Sequence, residues 1–295
     1  MISKRFSIGW FAWAAGTSAW LLVAGVAASK AGADVTAPKE TVLEYKMPAG
    51  QVLKYLSKEE MVQVSEAMGQ NIETLGTTTG TYSFDSKGRK DKNHVLKVTI
   101  DDLAISLTGT QGDLSPDVNP VKGKSFEMVL SPLGAEVDVS GAESITYNAT
   151  TGPRNVSSTF KGFFPDLPGK PVKVGDSWPS SLTIEEKAGT VDLRIDFQIV
   201  NTLEGFETVD GMECARVSSK ITGTISGTGS QQGMDMLFGG THKGTDLWYF
   251  ALKEGMFVKS TSEIVSDMTI SLSGAQSMTI PTTQTRKSEV KLAGR

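Results

Sequence analysis

The chain has little with which to do chemistry. In 295 residues it carries one cysteine, Cys214, and two histidines, His94 and His242. A single cysteine excludes a disulfide within the chain, so core burial must supply the stability. Cys214 lies in an apolar, strand-like stretch and reads as a small buried hydrophobe. Two distant histidines and one cysteine cannot build an ordinary zinc set without carboxylates from elsewhere, and neither histidine sits in a His-Glu-x-x-His pattern. Both are expected in exposed turns. There is no Gly-x-Ser-x-Gly elbow. Ser158–Lys161 and Ser288–Lys291 match Ser-x-x-Lys but lack the Ser-Asp-Asn and Lys-Thr-Gly partners. Asp113, Ser115, Asp117 and Asn119 alternate like a calcium loop, but Val118 and Lys124 stand where Gly and Glu are needed, so a solvated turn is expected. The paired acids Glu59-Glu60, Asp101-Asp102 and Glu185-Glu186 would point to opposite faces of a strand and make poor dyads. No catalytic, cofactor-binding or metal-binding residue is assigned, and the reading leans away from an enzyme.

Charge of one sign is also sparse. There are 29 Lys and Arg against 33 Asp and Glu, with no polybasic run, which argues against nucleic acid or an anionic membrane surface as partner. The one long uncharged apolar stretch is Phe6–Ala28, preceded by Lys4 and Arg5 and followed by Ala31-Gly32-Ala33. That order is expected of a secretory signal over residues 1–33, leaving Asp34 first. An uncleaved N-terminal membrane anchor is the alternative. Removing Lys4, Arg5 and Lys30 moves the formal charge from −4 to −7. No cysteine follows the apolar core, so a lipid-modified N-terminus is excluded. The protein is expected to be exported, periplasmic or secreted, with no membrane span after signal cleavage.

What is present is alternation. Leu96, Val98 and Ile100 oppose Lys97, Thr99 and Asp101, and Val191, Leu193, Ile195, Phe197 and Ile199 are separated by polar residues. A period of two over that length is a strand with one dry face. Met256, Val258, Ile264, Met268, Ile270 and Leu272 share one parity along a long late strand, and Val290 and Leu292 suit a terminal one. Asp210-Gly211 is a hairpin turn. Residues 51–68 admit a helix or a strand, and the alternation of Val62 and Val64 with Gln63 and Ser65 favours a long hairpin. Ser86–Asn93 reads as a charged turn and Gly141–Pro153 as a linker or short polar helix. The expected fold is all-β and predominantly antiparallel, with few short helices. Long hairpins form two β-rich halves, 34–160 and 161–295, as a curved sheet or half-barrel, in two domains or one.

The halves meet at Leu167-Pro168-Gly169-Lys170-Pro171-Val172-Lys173-Val174-Gly175-Asp176-Ser177-Trp178, where prolines stiffen the chain and a Gly-Asp turn delivers a tryptophan. It reads as a hinge or anchor. Gly233-Met234-Asp235-Met236-Leu237-Phe238-Gly239-Gly240 brackets soft apolar side chains with glycines. It is either a buried strand or an apolar lip over a ligand cavity. Met234, Met236, Leu237 and Phe238, with Trp178 and Trp248, are the candidate ligand contacts.

The motif ending in Trp178, Val209-Asp210-Gly211 before Cys214, and Leu247-Trp248-Tyr249-Phe250 before Lys253-Glu254-Gly255-Met256 together resemble an uncharacterised family of bacterial exported β-rich proteins. The resemblance covers mostly the second half. It implies an envelope location and supplies no site residues. The sequence thus suggests a non-enzymatic envelope or secreted protein that binds an apolar ligand or lipid. A structural or adhesion module contacting envelope proteins or polysaccharide, and a carboxylate-based hydrolase, are the alternatives.

Overall fold

Alternating sequence of this kind must pair its strands and cover one face. In the computed structural model, residues 40–295 are described except 111, 150–151, 232 and 275–276, so the signal at 1–33 and the lead at 34–39 lie outside the described residues. The first half contributes β1 (Val52–Ala67), β2 (Gln70–Lys90), β3 (Asn93–Gly109), β4 (Gly112–Asp113), β5 (Ser125–Leu130) and β6 (Glu136–Asp138). A small separate hairpin, β7 (Thr146–Ala149) and β8 (Gly152–Asn155), and a single-turn helix α1 (Ser157–Phe160) follow. The second half contributes β9 (Ser177–Ala188), β10 (Val191–Val209), β11 (Met212–Gln231), β12 (Met234–Ala251), β13 (Met256–Ser273) and β14 (Met278–Gly294).

Among the described residues, twelve strands form one curved antiparallel sheet that does not close into a barrel. Its order is β6-β5-β3-β2-β1-β14-β13-β12-β11-β10-β9, with β4 beside β3. The fold class is therefore all-β with a curved sheet, as the alternation implied. Residues 51–68 are strand. Met68 and Gly69 turn β1 into β2 with φ of 53° and 72°, the pair of positive angles that a tight two-residue hairpin requires. Asp210 and Gly211 repeat this between β10 and β11, at 49° and 77°. The turn expected over Ser86–Asn93 is shorter, because β2 runs on to Lys90. Gly141–Pro153 is neither linker nor polar helix: it takes in part of a 3-10 turn at Ser140–Ser144 and most of the β7–β8 hairpin.

The two halves join where β1 pairs β14, from Tyr55 opposite Leu292 to Ser65 opposite Thr282. Alternate residues of the long strands face inward, and the inward parity steps by one at bulges, as on β3 between Ile100 and Leu103. Towards one end of the strands, that inner face is filled by the segment between β6 and β9. Phe160, Phe163 and Phe164 from this segment pack edge-on or tilted against Tyr45, Tyr55, Tyr82 and Phe84, with ring centroids between 4.9 and 6.3 Å. The Tyr55 hydroxyl donates to the Phe257 carbonyl at 2.7 Å, and that of Tyr45 to the Pro165 carbonyl at 3.0 Å. The phenols of Tyr45 and Tyr55 thus keep partners inside an apolar cluster. The Glu136 carboxylate holds this aromatic plug by accepting from the backbone amides of Gly162 and Phe164, both at 3.1 Å.

The motif before β9 ties three pieces of chain together. Val172 and Thr41 exchange backbone hydrogen bonds of 2.8 Å, Gly175 donates to the Leu203 carbonyl, and Leu203 donates to that of Asp176. Trp178 is 4% exposed, donates its indole N–H to the Asp166 carbonyl at 3.0 Å, and meets Trp248 edge-on at 6.1 Å. Trp178→Ala is expected to lower the unfolding free energy by about 3–5 kcal/mol. Urea unfolding followed by far-UV circular dichroism measures this, and an unchanged midpoint would show that the motif bears no structural load.

Candidate functional site

Beyond the aromatic plug the inner face changes character. Reading across the strands in register, one row runs Asn201, Ser219, Asp246, Ser262, Ser288, Glu59, Thr78. Two residues further along lies a largely aliphatic row, Ile199, Ile221, Gly244, Ile264, Arg286, Met61. Next comes a second polar row, Phe197, Gly223, His242, Ser266, Gln284, Gln63, Thr74. At the far ends of the strands Ala67, Val191, Met236, Phe238, Ile270, Leu272 and Ile280 form a second, smaller apolar cluster. The inner face therefore carries a polar belt between two apolar layers.

Most of the belt is internally bonded. Gln284 donates to Gln63 Oε1 at 3.1 Å and accepts from Arg286 Nε at 2.8 Å, and Ser65 and Thr282 share a bond of 2.9 Å. The Ser219 hydroxyl donates to Asn201 Oδ1 at 2.6 Å and accepts from the Trp248 indole at 3.0 Å. Ser262 pairs with Ser288 at 2.8 Å, and Arg286 faces Glu59 at 4.0 Å. Two buried atoms stand outside this scheme: His242 Nε2 and Asp246 Oδ1 have no partner. Burial pushes the Asp246 carboxyl up to about 7, against a smaller opposing bond from the Leu247 amide. Burial, and then Arg286, hold His242 below the ordinary imidazole value.

Both histidines differ from the expected exposed turns. His94 is 1% exposed, in β3, with Nε2 at 3.1 Å from the Tyr45 carbonyl. His242 is 4% exposed, in β12, its ring 4.4 Å from that of Phe197. Gly223 makes that ring contact available: a Cβ there would lie 1.9 Å from the Asp196 carbonyl oxygen and 2.4 Å from His242 Nε2. Parity was the signal in the sequence, since His242 is in step with Met236, Phe238 and Trp248, and His94 with Leu96 and Val98.

The candidate ligand contacts divide between faces. Met236 and Phe238 are buried in the far apolar cluster, Met234 is half-buried, and Leu237 points outward at 59% exposure. Trp178 and Trp248 sit in the main core. The segment Gly233–Gly240 is largely strand, not a glycine-hinged flap. On the inner face of the β9–β10 hairpin, Leu182, Ile184, Leu193, Ile195, Phe197 and Ile199 are only half-buried, a longer uncovered apolar run than the half-buried Ile264 and Met268 of β13. This uncovered aliphatic strip runs beside the belt.

The remaining candidates are accounted for locally. Cys214 is buried, and burial lifts its thiol to about 11, away from reactivity. Asp113 and Asp117 spend carboxylate oxygens on the amides of Ser115 and Asn119, at 2.9 and 3.0 Å. Among the described residues no group of three His, Cys, Asp or Glu is placed to hold a metal. The paired acids part as strand geometry requires: Glu59 faces Arg286, while Glu60 meets Lys58 at 2.6 Å on the outer face. Outward-facing Lys58, Thr79, Thr81, Glu289 and Lys291 border a shallow cleft of about 310 Å³ of mixed charge.

No family model matches the chain, and no curated protein matches it. Among solved structures it is similar to Pseudomonas aeruginosa OccK2 (OpdF) in complex with glucuronate, with 7% identity, a TM-score of 0.26, and coverage of 84% of this chain and 100% of that one. OccK8 (OprE) of the same organism gives 6%, 0.21, 84% and 100%. OccAB2 of Acinetobacter baumannii gives 9%, 0.21, 84% and 99%. TM-scores this low carry no property of those proteins across. Among the described residues no helix is long and apolar enough to cross a membrane.

Two outcomes are expected. Glu136 and Asp246 both ionise near pH 7 when folded, against 4.5 and 3.8 otherwise. The native state therefore holds more protons than the unfolded one between about pH 4 and 7, and these two groups make stability fall as pH rises through that window. Burial lowers both histidines, so they act in the opposite sense and cost stability as pH falls. The comparison is thus between variants: Glu136→Gln combined with Asp246→Asn should remove the decline, read as Tm against pH. Gly223→Ala should cost about 1–3 kcal/mol in urea unfolding through overpacking.

Proposed function

We propose that this chain is an exported envelope protein that holds an apolar or amphiphilic ligand against the inner face of its curved sheet. The observation that carries the reading is the half-buried apolar strip of β9 and β10, Leu182 to Ile199, on a face whose β1, β11 and β12 side chains are mostly buried. Apolar surface left open on a concave face, beside a few convergent polar groups, is what a small-ligand site looks like before it is filled. The lysine- and arginine-led apolar start of the sequence supports export.

The alternatives have less behind them. A docking module would show a contiguous apolar patch outside. The exposed large hydrophobics, among them Val42, Val137, Val174, Val200 and Leu237, are scattered over separate elements. A carboxylate hydrolase needs two acids across a gap. Glu59 faces an arginine, and Asp246 lies between two serines.

Native mass spectrometry of protein purified from the envelope, with lipid extraction, tests the reading. A discrete adduct that is lost on denaturation and recovered in the extract is expected. A clean apo mass under mild conditions would sink it.

A further inference from the structure

The belt and the strip have an order along the strands that specifies what could lie there. Nearest the aromatic plug is Asp246, whose in-register neighbours are Ser219 and Ser262. Neither serves it. The one proton of Ser219 goes to Asn201, and Ser262 is bonded to Ser288. His242 Nε2 is the second unpartnered atom. It lies four residues away on the same strand and face, about 13 Å at the rise of an extended chain. A buried polar atom left open costs free energy unless something else completes it. The half-buried side chains of Ile199, Phe197, Ile195 and Leu193 then lead from this level towards the strand tips.

Charge narrows the choice. In these rows Arg286 is set against Glu59, and at the edge Arg154 against Glu186 at 3.5 Å. The other belt groups are hydroxyls, carboxamides and an imidazole that burial disfavours as a cation. Among the described residues of these rows no cation is left over for an anionic head, and a charged head would be desolvated without a counterion. The Asp246 carboxyl, protonated below about pH 7, can both donate and accept.

Resting on the ligand-carrier reading above, we infer that the ligand is a neutral glycolipid. Its sugar hydroxyls complete Asp246, the oxygens linking head to tail reach His242, and its acyl chain lies along the β9–β10 strip. A sugar joined to an acylated glycerol spans the interval between the two open atoms. A single hydroxyl, as in a fatty alcohol, would satisfy only one.

The test uses amphiphiles sharing a dodecyl chain, each below its micelle-forming concentration: dodecyl glucoside, dodecanoate, dodecyltrimethylammonium and dodecanol. Each displaces the dye 1-N-phenylnaphthylamine from the full protein at pH 6. Dodecyl glucoside is expected to bind at least about tenfold more tightly than either charged analogue. Asp246→Ala should weaken dodecyl glucoside about 2- to 10-fold, as loss of a hydrogen bond does, while leaving the affinity for the apolar dye itself within about twofold. Should Asp246→Ala fail to fold, the head-group ranking on the unaltered protein decides. Equal or tighter binding of dodecanoate or dodecyltrimethylammonium overturns the glycolipid assignment and leaves the carrier reading intact. If neither the dye nor any amphiphile binds, the carrier reading itself falls, and this inference with it.

Discussion

The structure depends on filling one side of a very wide sheet. Twelve antiparallel strands present a continuous inner face, and a single layer of sheet has nothing to bury it against. The chain supplies the missing layer from its own middle. The connection between β6 and β9 lays Phe160, Phe163 and Phe164 onto Tyr45, Tyr55, Tyr82 and Phe84, and Trp178 at the start of β9 meets Trp248 of β12. Glu136, the Asp166 carbonyl and the Thr41–Val172 exchange then fix that connection in place. The plug reaches only part of the face, and that incompleteness creates the belt and the open strip.

Polar groups inside such a sheet must be bonded in sets, because each one left alone is costly. Gln63, Gln284, Arg286 and Glu59 satisfy one another across β1 and β14. Trp248, Ser219 and Asn201 do the same across β10, β11 and β12. The belt therefore does two things at once. It locks the register of neighbouring strands, since a slip of one residue would turn every member outward. It also leaves Asp246 and His242 as the two places where the bonding is unfinished.

Much of this was legible in the residues. The strict alternation of Val191–Ile199 and of Met256–Leu272 announced strands, and Asp210-Gly211 announced its hairpin. The anchoring role of Trp178 followed from proline stiffness and a Gly-Asp turn. The belt was harder to see. His242 is preceded by Gly239, Gly240 and Thr241, and His94 by Lys92 and Asn93, which is turn-like company. Glycine, however, stands beside His242 for a steric reason: Gly244 would put a Cβ 2.3 Å from the Glu263 carbonyl oxygen. Composition reads such glycines as turns, whereas parity with Phe238 and Trp248 places His242 inside. Which apolar side chains stay half-covered depends on how far the plug extends, and no local pattern encodes that.

The pairing of β1 with β14 has a further consequence. Tyr55 finds Leu292, and Ser65 finds Thr282, across more than two hundred intervening residues. Contacts so remote in sequence are slow to form, because the loop entropy is spent before any pairing repays it. Until β14 is available, β1 has a bare edge, and the two hairpin series are separate sheets with half a belt each. A chain arranged this way can form its hairpins locally but cannot unite its two sheets until β14 has been made.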